Sequence, residues 1–458
     1  MVMFDFQVKP ILLYGVYEKR QQTSWRPWGG IQSEADADSE IKRIKDELLE
    51  LQNEADFPLR IQPLSKTKTV EDIESLGIDA DVILVYAAGV QEIDSIEPLE
   101  QLLSYNMPVI FFLRKDYLWY EIIHPRFLRR SVSDEILQPV DVADIVVDDY
   151  RELLQKLRSL LGLKSAIGAK VISIGTPGGW GIGEEAVQKA KEKWNLQIET
   201  VSYQELADRI EELKTDTNAV GVAQKDAESY LSDNDVELET DRSFVINAFL
   251  LERVFRDLLK EGRAHILTIA GCMSIVMPIS ETTACLPICL LNDAGYLAFC
   301  ESDFVAIPAG ILLHSISSKP VFLVDPTLPH KGQVTVAHCT APRRMDGSNL
   351  EHVKILTHFE SDYGAAPQVK MKKGQIVTVV DPSFGGDDWI GFRGRIKDNP
   401  TLPICRTQLD IEIEGDWKKL LHDMKGFHWL VVYGDYLNEL EYALKKVGVG
   451  WTNISESN

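Results

Sequence analysis

The sequence predicts an α/β protein: two doubly wound parallel-sheet domains followed by an antiparallel β-rich C-terminal domain. Two observations carry this. Continuous apolar runs of strand length, such as 81–86 and 108–112, alternate with helix-period stretches over short connections, the pattern of right-handed βαβ units. After about Asp325 the alternation gives way to short strands separated by Gly and Pro turns. The expected segments are 1–165, 166–325 and 326–458, in keeping with a length of 458 residues.

The first segment opens with an apolar strand at 8–18. A helix is expected at 39–53, where Ile41, Ile44, Leu48 and Leu51 recur near 3.6 spacing among charges. A helix at 149–161 is expected to end at Gly162, with the boundary just beyond it. The second segment begins with the strand 170–174, followed by a helix at 183–194, a strand at 197–201 and a helix at 203–213. The polar, acidic stretch 214–240 reads as surface, and 241–261 as a long helix. A strand at 265–269 leads into an apolar region at 272–291, and 308–317 with 320–324 complete the segment. Strands at 334–339, 352–358, 368–370, 375–380, 389–397 and 409–413 follow, with a last α/β piece after Asp416.

Apolar residues make up 45% of the chain and charged residues 26%, enough for a large core. A net charge of −22 repels phosphate backbones and anionic membranes, so neither nucleic acid nor membrane is expected as a partner. No window of about 18 uninterrupted apolar residues is present, and the N-terminus reads as a first strand rather than a leader. All six cysteines fall between Cys272 and Cys405 and none forms a CxxC pair, which fits free thiols in a cytoplasmic protein.

The candidate chemistry lies in two places. Cys300-Glu301-Ser302-Asp303 sets two carboxylates at the end of an apolar strand, and Gly426-Phe427-His428-Trp429 sets an imidazole at the start of another. Carboxylates and imidazole drawn from distant segments suit a hard or borderline divalent cation. The same residues also fit solvated caps at strand ends.

The run 286–323 with Cys300-Glu301-Ser302-Asp303 inside it resembles the L-fucose isomerase family. So do Val336-Ala337-His338-Cys339-Thr340 and the segment 428–449, where His428 opens a strand and a Tyr-Gly turn leads into a helix. The resemblance implies the architecture already read from periodicity, as in fucose and arabinose isomerases. It implies interconversion of an aldose and a ketose through an ene-diol, with Mn²⁺ or another divalent cation as cofactor. It also implies a homo-oligomer, trimeric or hexameric, acting on a small sugar.

By the same resemblance Asp303 and His428 are expected as metal ligands. The family's metal-binding Glu falls near Ile279 here, where Glu281 is the nearest carboxylate. Glu281 is the expected third ligand, the alternatives being Glu301 in its place or no third ligand, and Glu281, Glu301 and Asp303 are the expected catalytic carboxylates. His338 is expected to orient substrate, and Arg343 to meet an anionic group on it. Trp180, in a Gly-rich strand-to-helix connection whose register is wrong for a dinucleotide, and Trp28, in a Gly/Pro-rich loop, are expected to stack on sugar. Each of these four also fits a packed or surface residue. The alternative is a sugar-binding or regulatory protein that keeps the scaffold without the chemistry.

Overall fold

The computed structural model describes residues 5–22, 31–88, 96–115 and 141–456. Trp28 and most of the aromatic stretch 115–124 lie outside them. The chain divides into two compact units, 2–158 and 159–458, the division falling within the helix Tyr150–Ala166.

The described residues of the unit 2–158 form a parallel sheet in the order Leu59–Ile61, Phe6–Tyr14, Val82–Ala88, Val109–Leu113, Ile145–Val147, with Ser65–Thr67 also pairing with Phe6–Tyr14. Every residue of Val82–Ala88 is buried, as its unbroken apolar run requires of a central parallel strand. The helix Glu34–Glu54 starts at Ser33, whose side chain accepts from the Asp36 N–H, and buries Ala37, Ile44, Leu48 and Leu51 on one face.

The unit 159–458 contains a parallel sheet in the order Leu297–Cys300, Ile266–Ile269, Lys170–Ile174, Gln197–Val201. It also contains an antiparallel barrel, in the order Ile376–Pro382, Trp429–Tyr433, Phe322–Pro326, Gln333–His338, Thr407–Glu414, Asp388–Asp398. The last strand pairs back onto the first, which closes the barrel, and Gly450–Asn453 adds in parallel along Asp388–Asp398. The barrel interior shares one core with the helical layer: Val336, Val377, Phe392 and Trp429 pack in the same cluster as Ala227, Val245 and Leu286. The expected segments 166–325 and 326–458 thus sit in one compact unit.

Three local expectations change. Phe322–Pro326, read as the end of the second α/β segment, is a barrel strand antiparallel to both Gln333–His338 and Trp429–Tyr433. The stretch 214–240 contains the helix Thr217–Leu231, which buries only Ala219, Ala223 and Ala227 and starts at Asp216, whose carboxylate accepts from the Asn218 and Ala219 N–H groups. A four-residue repeat of small residues carries little hydrophobic signal. Finally, Gly162 lies inside the helix Tyr150–Ala166 rather than ending it. A Cβ there would stand 2.5 Å from Ile316 Cγ1, so this glycine serves a close helix–helix approach. Among the described residues no single helix is long and apolar enough to cross a membrane.

Candidate metal centre

The centre is assembled where the C-terminal end of the parallel sheet meets the barrel, the end at which open α/β sheets present ligand-binding residues. The strand Leu297–Cys300 runs into a turn in which Glu301 and Ser302 take left-handed backbone angles, φ 66° and 51°. Two consecutive non-glycine residues in that region are strained, and such a turn persists only where its surroundings hold it. Here they do. Ser302 Oγ lies 2.9 Å from Ser173 Oγ, the Gly178 N–H donates to the Ser302 carbonyl and the Phe304 N–H to the Gly178 carbonyl. Gly179 allows this approach, because a Cβ on it would meet Ala186 Cβ at 2.3 Å and Asp303 Oδ1 at 3.2 Å.

Asp303, fully buried, accepts from the Trp180 N–H at 3.1 Å and the Val305 N–H at 3.0 Å through Oδ1. Its Oδ2 lies 2.7 Å from His428 Nδ1. This bond fixes the His428 ring and sends Nε2 the other way, to 3.4 Å from Glu301 Oε2 and 3.3 Å from Asp325 Oδ1. His338 is held in the same manner from the barrel. Its Nδ1 lies 3.0 Å from Thr340 Oγ1, and its Nε2 is 3.7 Å from Glu301 Oε1.

Asp325 reaches the site through strand register, since it pairs with Ala337, next to His338, while Val324 pairs with Trp429, next to His428. Two imidazole nitrogens and two carboxylates therefore converge, each imidazole oriented by a partner on its far nitrogen, as metal-ligating histidines are.

Electrostatics agree with a cation site. Burial opposes charging of His428, yet its hydrogen bond to Asp303 and the Glu301 carboxylate raise its pKa to about 9. Burial likewise opposes charging of His338, but Glu301 and Asp325 raise its pKa. Burial pushes the Glu301 carboxyl up, and the two histidines outweigh it and hold it below the ordinary carboxylate range. Asp325, in contrast, is raised, burial prevailing over the pull of His338 and His428. Most telling, His428 Nε2 and Asp325 Oδ1 are both buried without a hydrogen-bond partner, although they face each other at 3.3 Å. Neither atom makes a hydrogen bond, only ion-pair contacts with one another and of Nε2 with Glu301, and a shared cation would give both a direct partner. The residues present fit a divalent ion. Asp325, His338 and His428 each offer a ligand atom within 4.8 Å of the other two, and Cys300, Glu301 and His338 form a second such group.

On the open side stands an aromatic wall. Trp180, 46% exposed, stacks on Phe427 with ring centres 4.3 Å apart, and its Nε1 donates to Glu301 Oε2 at 3.1 Å.

The structure thus brings together Glu301, Asp303, His338, His428 and Trp180. It places Asp303 behind His428, its oxygens taken up by three donors, rather than among the atoms that converge. It sets Glu281 apart: this residue ends the short helix Met277–Ser280 in the left-handed region, 62% exposed, with its carboxylate on Lys214 at 2.9 Å. Arg343 is also elsewhere. It is fully buried, donating to the Glu351 carbonyl at 2.8 Å and to Asp233 at 3.4 Å, with its guanidinium over the Tyr230 ring. Those contacts hold the loop 341–351, and the guanidinium is engaged there rather than among the convergent atoms. The sequence reading missed Asp325, although its signal, an acid ending the apolar strand Val321-Phe322-Leu323-Val324, is the one that pointed to Glu301 and Asp303.

No family model matches the chain, and no curated protein matches it.

Proposed function

We propose that the chain is a divalent-metal-dependent aldose–ketose isomerase with a fucose-isomerase-like fold. The observation that supports this most is the convergence of His338 Nε2, His428 Nε2, Glu301 and Asp325 beneath an exposed aromatic wall, with His428 Nε2 and Asp325 Oδ1 buried and making no hydrogen bond. His338, His428 and Asp325 would hold the ion, with Glu301 at its open edge. Mn²⁺ suits a set of nitrogen and carboxylate donors. A bound divalent cation supplies polarisation of the neighbouring carbonyl and hydroxyl oxygens of an open-chain sugar, which acidifies the C–H between them.

The chain's own residues supply the rest. Glu301 is the carboxylate on the accessible side of the centre, and it takes the proton from one carbon and returns it to the next. Its Oε2 is steered by the Trp180 indole N–H, so the base is aimed before substrate arrives. Trp180 and Phe427 offer an apolar face to a sugar and keep water from the ene-diol. Asp303 holds no substrate. It fixes the His428 tautomer.

The test is incubation of the Mn²⁺-loaded protein with a panel of aldoses and ketoses in D₂O, followed by NMR. A ketose formed from one aldose, with deuterium at the carbon that exchanged its proton, supports the reading. Sugar binding with no exchange at any carbon would instead favour a protein that keeps the scaffold without the chemistry.

A further inference from the structure

Five of the six cysteines gather behind the centre. Cys300 is buried at the end of its strand, and its Sγ, a Glu301 oxygen and a His338 ring nitrogen all lie within 4.8 Å of one another. Cys272 follows the adjacent strand Ile266–Ile269, opens the π-helical turn Cys272–Val276, and is only partly buried. Its Sγ accepts from the Ala284 N–H at 3.4 Å and lies close enough to the Cys300 and Cys285 thiols to shift their titration, while Cys285 packs with Cys339 and Cys405. All are free thiols, and the proposed isomerisation uses none of them.

His338 belongs to both ligand groups: the nitrogen and oxygen group with Asp325 and His428, and the sulfur-containing group with Cys300 and Glu301. Its Nδ1 is engaged by Thr340, so the same Nε2 must serve either group. One ring nitrogen has one lone pair, so an ion held in one group excludes an ion from the other.

We propose that Cys300, Glu301 and His338, with Cys272 beside them, form a second metal site selective for thiophilic divalent cations of the Zn²⁺ and Cd²⁺ class. Thiolate favours such ions, whereas the neighbouring set of carboxylates and imidazoles suits harder ones. Binding forms a metal–sulfur bond as each ligating thiol releases its proton to water, with no change of oxidation state. Glu301 is drawn towards Cys300 by that ion, so occupancy of the thiolate site silences the centre. The thiolate site stands on its own residues, and only its competition with Mn²⁺ rests on the function proposed above.

The experiment titrates full-length protein, first stripped of metal and then loaded with one equivalent of Mn²⁺, with Cd²⁺ while following near-ultraviolet thiolate-to-metal charge transfer. Bound Mn²⁺ is followed in parallel by electron paramagnetic resonance. The wild type is expected to develop the absorption up to one equivalent of Cd²⁺ and to release its Mn²⁺ in step. Cys300→Ser is expected to lose the absorption and to weaken Cd²⁺ binding roughly tenfold or more while still taking up Mn²⁺. Cys272→Ser, which leaves the strand end untouched, is expected to reduce the absorption without abolishing it. No charge transfer in the wild type would overturn the proposal, as would an unaltered band in Cys300→Ser. Simultaneous binding of Mn²⁺ and Cd²⁺ would refute the shared His338. A Cys300-dependent band in a protein that takes up no Mn²⁺ would uphold the thiolate site and sink the isomerase reading instead.

Discussion

Asp303 Oδ2 stands 2.7 Å from His428 Nδ1, and both residues are almost wholly shielded from solvent. The carboxylate comes from the turn after a parallel strand and the imidazole from the start of a barrel strand, 125 residues later. This contact joins the two sheets of the unit at the centre and decides which ring nitrogen is free. Asp303→Asn keeps the shape, and its carbonyl oxygen can still receive the Trp180 and Val305 N–H groups. Its amide then faces Nδ1 as a donor and forces the proton onto Nε2, the nitrogen that must ligate. Divalent-metal affinity is expected to fall by about 10–100-fold with little change in melting temperature, measured by calorimetric titration and thermal unfolding.

Asp325 and Glu281 make a contrasting pair. Asp325→Ala removes the proposed ligand and leaves His428 Nε2 facing only Glu301, so metal uptake is expected to be lost. Glu281→Gln breaks only an exposed ion pair with Lys214. Metal stoichiometry is expected to stay the same, and stability to change by less than about 1 kcal/mol. Metal analysis of the two variants side by side checks both expectations.

How far the centre was legible in the sequence follows from these residues. Glu301, Asp303, His338 and His428 stand out because charged or imidazole groups interrupt apolar strands. Asp325 does so equally, but its strand looked like the close of a parallel unit, and only barrel register carries it to His338 and His428. Glu281 was drawn in by its position along the chain, and a helix end in the left-handed region turns it to solvent. The parallel strands were legible because burial on both faces demands unbroken apolar runs. The helix Thr217–Leu231 was not, because alanines at 219, 223 and 227 can bury a face without raising its hydrophobicity.

Trp180 is the residue through which the proposed sugar recognition is most directly tested. Trp180→Ala removes the stacked partner of Phe427 and the N–H that steers Glu301. Sugar affinity is expected to drop several-fold to about tenfold, in line with ~0.5–1.5 kcal/mol for an aromatic contact. Metal affinity is expected to change much less. Titration of sugar into the metal-loaded variant distinguishes the two effects.

Asp381 gives the fold a pH signature. Its carboxyl accepts from the Lys425 and Gly426 N–H groups, anchoring the loop that leads to His428, yet burial raises its pKa from 3.8 to about 7. Between those values the folded chain keeps this proton and the unfolded chain has released it. The folded state therefore binds more protons, and stability from this residue falls as pH rises from about 4 to about 7. Above that range it stays constant. Asp381→Asn is expected to remove this slope, seen by comparing melting temperatures of the variant and wild type across the same interval.

Gly162 tests the packing of the unit 159–458. Gly162→Ala places a methyl group 2.5 Å from Ile316 Cγ1, an inner atom of a buried side chain. Although alanine favours helix, the overlap is expected to cost about 1–3 kcal/mol, read from denaturant unfolding.

The most direct measurement is Mn²⁺ binding by the metal-free protein, wild type against His428→Ala, followed by calorimetry and electron paramagnetic resonance. One ion bound per wild-type chain and none in the variant, with the fold intact by circular dichroism, is the expected result. No binding by the wild type, or undiminished binding without the His428 imidazole, would contradict a metal centre at His338, His428, Glu301 and Asp325.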